Sequence, residues 1–236
     1  MKNLINLNLA NIKGSKKLRK IFKFLKKYFG EKDPGNVNFN FDDKPSRMII
    51  VQKIIDIKKY QSYLEIGTFD NELFSFINCK EKIGIDPFYG GTHRMTSDAF
   101  FFKNKKKFDC IFIDGLHHYD QVKKDIKNSL NFLNENGIIL VHDCLPKNLL
   151  AQSIPRTVVN WNGDVWKAFV EIRTNIELDA YTCYADHGIG VILKRKNRNV
   201  LNIECKNFQK LKFIDFYREH NRFMNIVDFN DLIKLL

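Results

Sequence analysis

The chain has 236 residues, 44% of them apolar and 28% charged. That is an ordinary globular composition, long enough for one substantial α/β core. A formal net charge of +12 gives a surface that attracts nucleotides, acidic glycans, anionic lipid or nucleic acid without choosing among them; AT-rich coding, which enriches Lys, Asn, Ile and Phe, produces the same balance with no partner. No apolar run approaches the ~18 residues of a spanning helix, and no secretory signal is recognisable. The five cysteines are scattered and form no C-x-x-C pair, which argues against a disulfide framework or a structural zinc site. Reduced thiols in a cytoplasmic protein are the expectation.

Residues 1–45 read as a basic helical extension. Within it, Ser15 to Phe29 carries Leu18, Ile21, Phe22, Leu25, Tyr28 and Phe29 at helical spacing among lysines. Such a helix can lie on an anionic membrane surface, or pack on the catalytic domain or a second subunit in a homo-oligomer; packing is the favoured reading. From Pro45 the pattern becomes regular. Arg47 to Lys59 predicts a helix, Ser62 to Ile66 a strand, Asn71 to Ile77 a helix and Lys82 to Asp86 a second strand. Phe108 to Ile113 is a third strand, nearly all apolar, as a strand buried on both faces should be. His118 to Leu133 predicts a helix, Gly137 to Val141 a strand, Asp164 to Arg173 a helix. Ala180 to Tyr184 and Gly188 to Lys194 form a closing strand pair. The alternation implies an α/β fold, a Rossmann-like doubly wound, mostly parallel sheet with an antiparallel edge, over residues 46–196. Residues 197–236 form a C-terminal extension with a short strand and an apolar-periodic helix around Phe208 to Ile233.

In such a fold the turn after the first strand lies at the carboxyl edge of the sheet, where ligands bind. Here that turn follows Tyr63-Leu64-Glu65-Ile66-Gly67. Gly67 lacks the Cβ that would block a close backbone approach. Glu65 repels a pyrophosphate but suits a cationic amino-acid moiety, which argues against a dinucleotide with its G-x-G-x-x-G loop. Asp86, at the end of the second strand, can accept hydrogen bonds from both ribose hydroxyls. Either acid can also simply cap its turn.

E-I-G-T followed by I-G-I-D-P resembles the first two motifs of class I S-adenosylmethionine-dependent methyltransferases. Asn71 stands where that family's motif has its last glycine, and Asn tolerates left-handed backbone better than most residues. The resemblance implies S-adenosylmethionine as cofactor, held by Glu65, Gly67, Asp86 and Asp114. It also puts Ser97 and Asp98 where the family contacts adenine, although the pair can equally begin a helix.

Two further apolar strands deliver Asp114-Gly115-Leu116-His117 and His142-Asp143 to the same edge. Asp114 and Asp143 would lie within reach of one cation, and two carboxylates with an imidazole or water suit Mg²⁺ or Mn²⁺. Such a cation lowers the pKa of an acceptor hydroxyl, and a histidine can take its proton. The D-G-x-H and H-D-C arrangement resembles the branch containing metal-dependent sugar O-methyltransferases of macrolide biosynthesis and the cephalosporin-biosynthesis methyltransferases. That resemblance implies Asp114, His142 and Asp143 as metal ligands, with His142 standing where Glu is common. It implies His117 as general base beside Asp114, and His118 as the start of the helix.

Trp161 and Trp166, near asparagines and Asp164, offer a carbohydrate platform, with Arg156 and Arg173 as phosphate binders for a nucleotide sugar. The alternative has Asp164 capping the helix and Trp166 in the core. The expected acceptor is a sugar, nucleotide sugar or glycan. Another small molecule, an RNA base, or a non-catalytic nucleoside-binding role are the competing readings. Nucleic acid is disfavoured, since no aromatic-plus-basic single-strand reader is present.

Overall fold

The computed structural model describes Lys20, Ile21, Phe24 and residues 30–236; most of the expected N-terminal helix lies outside the described residues. The elements, in order, are α1 (Arg47–Lys58), β1 (Ser62–Ile66), α2 (Glu72–Phe76), β2 (Glu81–Ile85), α3 (Ser97–Lys103), β3 (Phe108–Ile113), α4 (Tyr119–Asn131), β4 (Leu133–Val141), α5 (Val165–Arg173), β5 (Asp179–Cys183), β6 (Ile189–Leu193), α6 (Phe213–Met224), β7 (Ile226–Val227) and α7 (Phe229–Leu235). They build one seven-stranded sheet in the order β2-β1-β3-β4-β6-β5-β7. All neighbours are parallel except where β6 pairs antiparallel with β4 and β5. This is the expected Rossmann-like, doubly wound, mostly parallel sheet, closed by one antiparallel hairpin.

The sheet is buried on both faces, which is why its central strands are nearly all apolar. On one face α3, α4, α5 and α6 contribute Phe100, Val122, Ile126, Trp166, Phe169 and Phe216 to a large core. On the other, Ile50 and Ile54 of α1, Leu73 of α2 and Leu232 of α7 cover the remaining side chains. Among the described residues no helix is long and apolar enough to cross a membrane. All five cysteines are free.

The C-terminal residues share this core. Phe213, Phe216, Phe223 and Met224 are buried, and Phe216 packs on Trp166 at a centroid distance of 4.9 Å. The single helix expected around Phe208 to Ile233 is divided. Asn225 takes a left-handed φ of 48° that ends α6, and β7 then joins the sheet edge before α7. An apolar period cannot reveal such a break; a left-handed Asn can.

Chain order reverses at β1, since β2 lies on one side of it and β3 on the other. The carboxyl ends of β1 and β3 therefore flank a topological switch point, where doubly wound sheets hold their ligands.

Candidate active site

Gly67 sits at that switch point with φ +90°, a backbone state that favours glycine. A Cβ there would lie 2.2 Å from the Asp114 carbonyl oxygen and 2.7 Å from Gly115 Cα. The close approach it permits is thus first of all between the ends of β1 and β3. Asn71 adopts φ 68° at the start of α2, a left-handed state that Asn tolerates. Its Oδ1 also accepts the Gly91 N–H at 2.6 Å, tying the turn after β1 to the turn after β2.

Glu65 is 2% exposed. Tyr63 donates its hydroxyl to Glu65 Oε2 at 2.7 Å. Burial outweighs that hydrogen bond and pushes the Glu65 carboxyl up to about 7. Asp86 accepts backbone N–H bonds from Phe69 (3.1 Å), Phe88 (2.7 Å) and Tyr89 (2.8 Å). It holds the two donor-side turns in place, and its carboxylate has acceptor capacity left over for ribose hydroxyls. Ser97 and Asp98 lie in the first turn of α3, whose cap is Thr96. Gln121 of α4 donates to both, and Lys124 pairs with Asp98. Their protein contacts are with α4.

The reaction side is denser. His117 Nε2 lies 3.0 Å from Asp114 Oδ1, and its Nδ1 lies 3.0 Å from Asp143 Oδ2. His142 Nδ1 is 3.2 Å from Asp114 Oδ1, and its Nε2 is 3.2 Å from Asp186 Oδ1. Three carboxylates and two imidazoles therefore alternate through a partly buried cluster. Burial alone would raise the Asp114 carboxyl, but the His142 charge and hydrogen bonds from both rings hold it well below the carboxylate range. Burial likewise opposes protonation of His117, yet the Asp143 charge and the Asp114 hydrogen bond raise it above 6.5. His142 is raised further by Asp114 and Asp143, against its own burial. Burial also works to raise Asp186, and the His142 hydrogen bond brings it down to about 2.

Ligand atoms of Asp114, His117 and Asp143 all lie within 4.8 Å of one another. Two carboxylates and one imidazole form a donor set that suits a hard or borderline divalent ion. His142, expected as the third ligand, lies outside this set with both ring nitrogens facing carboxylates, while His117, expected as the base, lies inside it. His118 occupies the N-cap position of α4, as expected.

Parts of the site come from segments the motifs do not cover. Trp161 stacks on His117 with centroids 5.1 Å apart and ring planes 14° from parallel. Gly163, at φ +63°, lets its loop pass so close to His117 that a Cβ would stand 1.9 Å from the His117 carbonyl oxygen. Asn162 donates to Asp143 Oδ1 at 2.8 Å. Asp164 makes no side-chain cap to α5; it accepts the Tyr119 N–H at 2.7 Å and so holds the start of α4. Asp186, in the loop between β5 and β6, carries His142. Arg47, at the start of α1, reaches Glu72 (3.1 Å) and Asp186 (3.5 Å).

Two expectations are corrected. Trp166 is no sugar platform: it is fully buried and donates to Gln152 Oε1 at 2.8 Å. Arg173 binds no nucleotide sugar at this edge: it is 1% exposed, and its guanidinium donates to the Ala180 and Asn199 carbonyls near the amino end of β5. Arg156 does stay near the site, over the Trp161 ring at 5.7 Å, with its donors on the Val158 and Val159 carbonyls. Beside the cluster runs a groove of about 920 Å³ between residues 38–46 and 147–162, reaching Asn162, Asp186 and His187.

Residues 64–144, which hold Glu65, Gly67, Asp86, Ser97, Asp98, Asp114, His117, His142 and Asp143, match the family model described as a methyltransferase domain. The match covers about a third of the chain and agrees with the methyltransferase resemblance of the sequence motifs. Similar solved structures include the O-methyltransferase from Bacillus cereus in complex with SAH, 12% identical over 74% of this chain and 97% of that one, with a TM-score of 0.47. The SAH-bound methyltransferase PaMTH1 of Podospora anserina is 16% identical over 79% and 98%, with a TM-score of 0.49. The N-methyltransferase NodS of Bradyrhizobium japonicum WM9 is 16% identical over 66% and 99%, with a TM-score of 0.40. No curated protein matches the sequence.

Proposed function

We propose that the protein transfers the methyl group of S-adenosylmethionine to a hydroxyl of a sugar, nucleotide sugar or glycan. The observation that carries this reading is the groove beside the acid–imidazole cluster. Its lining includes Asn38, Asn40, Asn148, Asn160 and Asn162 together with Lys147. Side-chain amides offer both donors and acceptors, which suits the paired requirements of a polyol. Lysine suits an anionic substituent on it.

In this reading the donor lies over Gly67, with Asp86 toward the ribose and Glu65 toward the amino-acid moiety. His117 takes the proton of the acceptor hydroxyl. Asp114 and Asp143, one at each ring nitrogen, stabilise the imidazolium that forms. Trp161 and the Gly163 loop hold the ring in place from the side. Asp114 and Asp143 are the residues that would hold a divalent cation, which leaves the His117 imidazole for the proton. Such a cation would orient and acidify the hydroxyl and, by neutralising the two carboxylates, would let His117 rest as a neutral base.

The test is a labelled-methyl transfer assay against sugars, nucleotide sugars and glycans, with and without chelator. Incorporation into a sugar hydroxyl that is lost on chelation and restored by Mg²⁺ or Mn²⁺ supports the reading. Incorporation only into phenols or RNA would replace the acceptor, and full activity after rigorous chelation would remove the cation.

A further inference from the structure

The donor carries a carboxylate as well as an ammonium on its methionine moiety, and the site around Glu65 is rich in acids. An anionic group entering it needs a cation. His117 and His142 are already engaged with Asp114, Asp143 and Asp186. Lys82, the other cation near the donor-side turn, gives its ammonium to the Phe74 and Ile77 carbonyls. Arg156 rests against Trp161 on the acceptor side. Arg47 remains.

Resting on the methyltransferase reading, we propose that Arg47 binds the carboxylate of the methionine moiety of S-adenosylmethionine. Its place is fixed from below, because its backbone N–H donates to Asp186 Oδ2. Its guanidinium lies 3.1 Å from Glu72 and 3.5 Å from Asp186, which in turn holds His142 of the acid–imidazole cluster, and its charge acts on Asp114, Asp143 and Glu65 as well. It therefore faces the same space as the acid assigned to the ammonium. Its partners leave it exchangeable. Glu72 is a 58% exposed side chain at 3.1 Å, and the nearest Asp186 contact of the guanidinium is 3.5 Å. The exposed Glu72 pair is weak and the Asp186 contact is long, whereas a guanidinium takes a carboxylate through two parallel N–H bonds. Bound donor would thus have its ammonium on Glu65 and its carboxylate on Arg47, two contacts that fix the amino-acid end while Asp86 fixes the ribose.

Calorimetry without any acceptor tests this. The probes are S-adenosylhomocysteine, which keeps the carboxylate, and decarboxylated S-adenosylmethionine and 5′-methylthioadenosine, which lack it. Arg47→Met, which retains the aliphatic stem, should weaken S-adenosylhomocysteine by about 10–100-fold, the scale of a lost charge-assisted hydrogen bond. It should leave methylthioadenosine within about threefold, and Arg47→Lys should recover part of the loss. Should Arg47→Met fail to fold, the wild type carries the test by itself. It should prefer S-adenosylmethionine to the decarboxylated compound by at least about tenfold. Equal weakening of S-adenosylhomocysteine and methylthioadenosine, or wild-type affinity in the folded variant, overturns the assignment to Arg47 and leaves the donor site standing. Failure of the wild type to bind S-adenosylhomocysteine at all overturns the methyltransferase reading and this inference with it.

Discussion

The two halves of the sheet's carboxyl edge are built in different ways. The proposed donor half, at the ends of β1 and β2, is shaped mostly through backbone: Gly67 at positive φ, a left-handed Asn71, and Asp86 drawing three amides onto its carboxylate. The reaction half, at the ends of β3 and β4, is made of side chains. There Asp114, His117, His142 and Asp143 are interlocked with Asp186, Asn162 and Trp161, which arrive from separate loops. A backbone-built half serves a ligand of fixed shape, because main-chain geometry leaves little to adjust. A side-chain-built half can be retuned for its acceptor by single substitutions. Damage to the reaction half should therefore strike turnover, and damage to the donor half should strike affinity.

The sharpest break in that comparison is His117→Ala. General-base catalysis contributes ~10²–10⁴-fold, so methyl transfer should fall on that scale while S-adenosylhomocysteine affinity, measured by calorimetry, hardly moves. His118→Ala is the control and should be mild, since His118 only opens α4. If the His117 variant keeps its rate, or if donor binding collapses with it, the two halves are not separable in the way described.

Gly67→Ala probes the seam. Its Cβ would meet the backbone of Asp114 and Gly115, at a φ that side chains rarely adopt. Backbone cannot yield as a flexible side chain would, so the variant should lose on the order of 3 kcal/mol of stability. Gly115→Ala, whose nearest contact is an Ile66 methyl at 3.4 Å, should cost much less. Chemical denaturation of both variants decides this, and equal stabilities would mean that the seam is softer than its geometry.

The same contrast explains what could be read in advance. The donor half is local: Glu65, Gly67 and Asp86 fall within 22 residues of chain, and each follows a strand whose apolar run announces it. Asp114, His117, His142 and Asp143 were visible for the same reason. Asn162, Gly163 and Asp186 were not, because only the closing hairpin and the long loop after β4 bring them to the edge, and neither leaves a local pattern; Arg47 was not, because the start of α1 meets that edge through Asp186. Arg173 was misplaced because helical periodicity fixes a residue's face but not which end of the sheet that helix end meets. Trp166 and Trp161 are five positions apart, and composition alone could not send one to the core and the other onto His117.

The smallest expected effect belongs to Glu65, and it bears on whether the donor half is tuned by charge as well as by shape. Burial raises its carboxyl from 4.5 to about 7. The native protein thus holds this proton more tightly than the unfolded chain does. The group's contribution to stability is complete below about 4.5 and is lost as pH rises through about 7. The donor's ammonium, in the proposed site, would have the opposite preference, since it would bind the ionised carboxylate. S-adenosylhomocysteine should therefore bind several-fold more tightly at pH 8 than at pH 6, by roughly the change in ionised fraction around such a pKa. The rise in melting temperature that it confers should grow over the same interval. Glu65→Gln should bind more weakly at pH 8 and lose most of the pH dependence, because a neutral amide offers the same shape without the titration. A wild-type affinity that is flat between pH 6 and pH 8, or a Gln variant that keeps the full slope, would show that Glu65 acts through its hydrogen bond with Tyr63 and not through its charge.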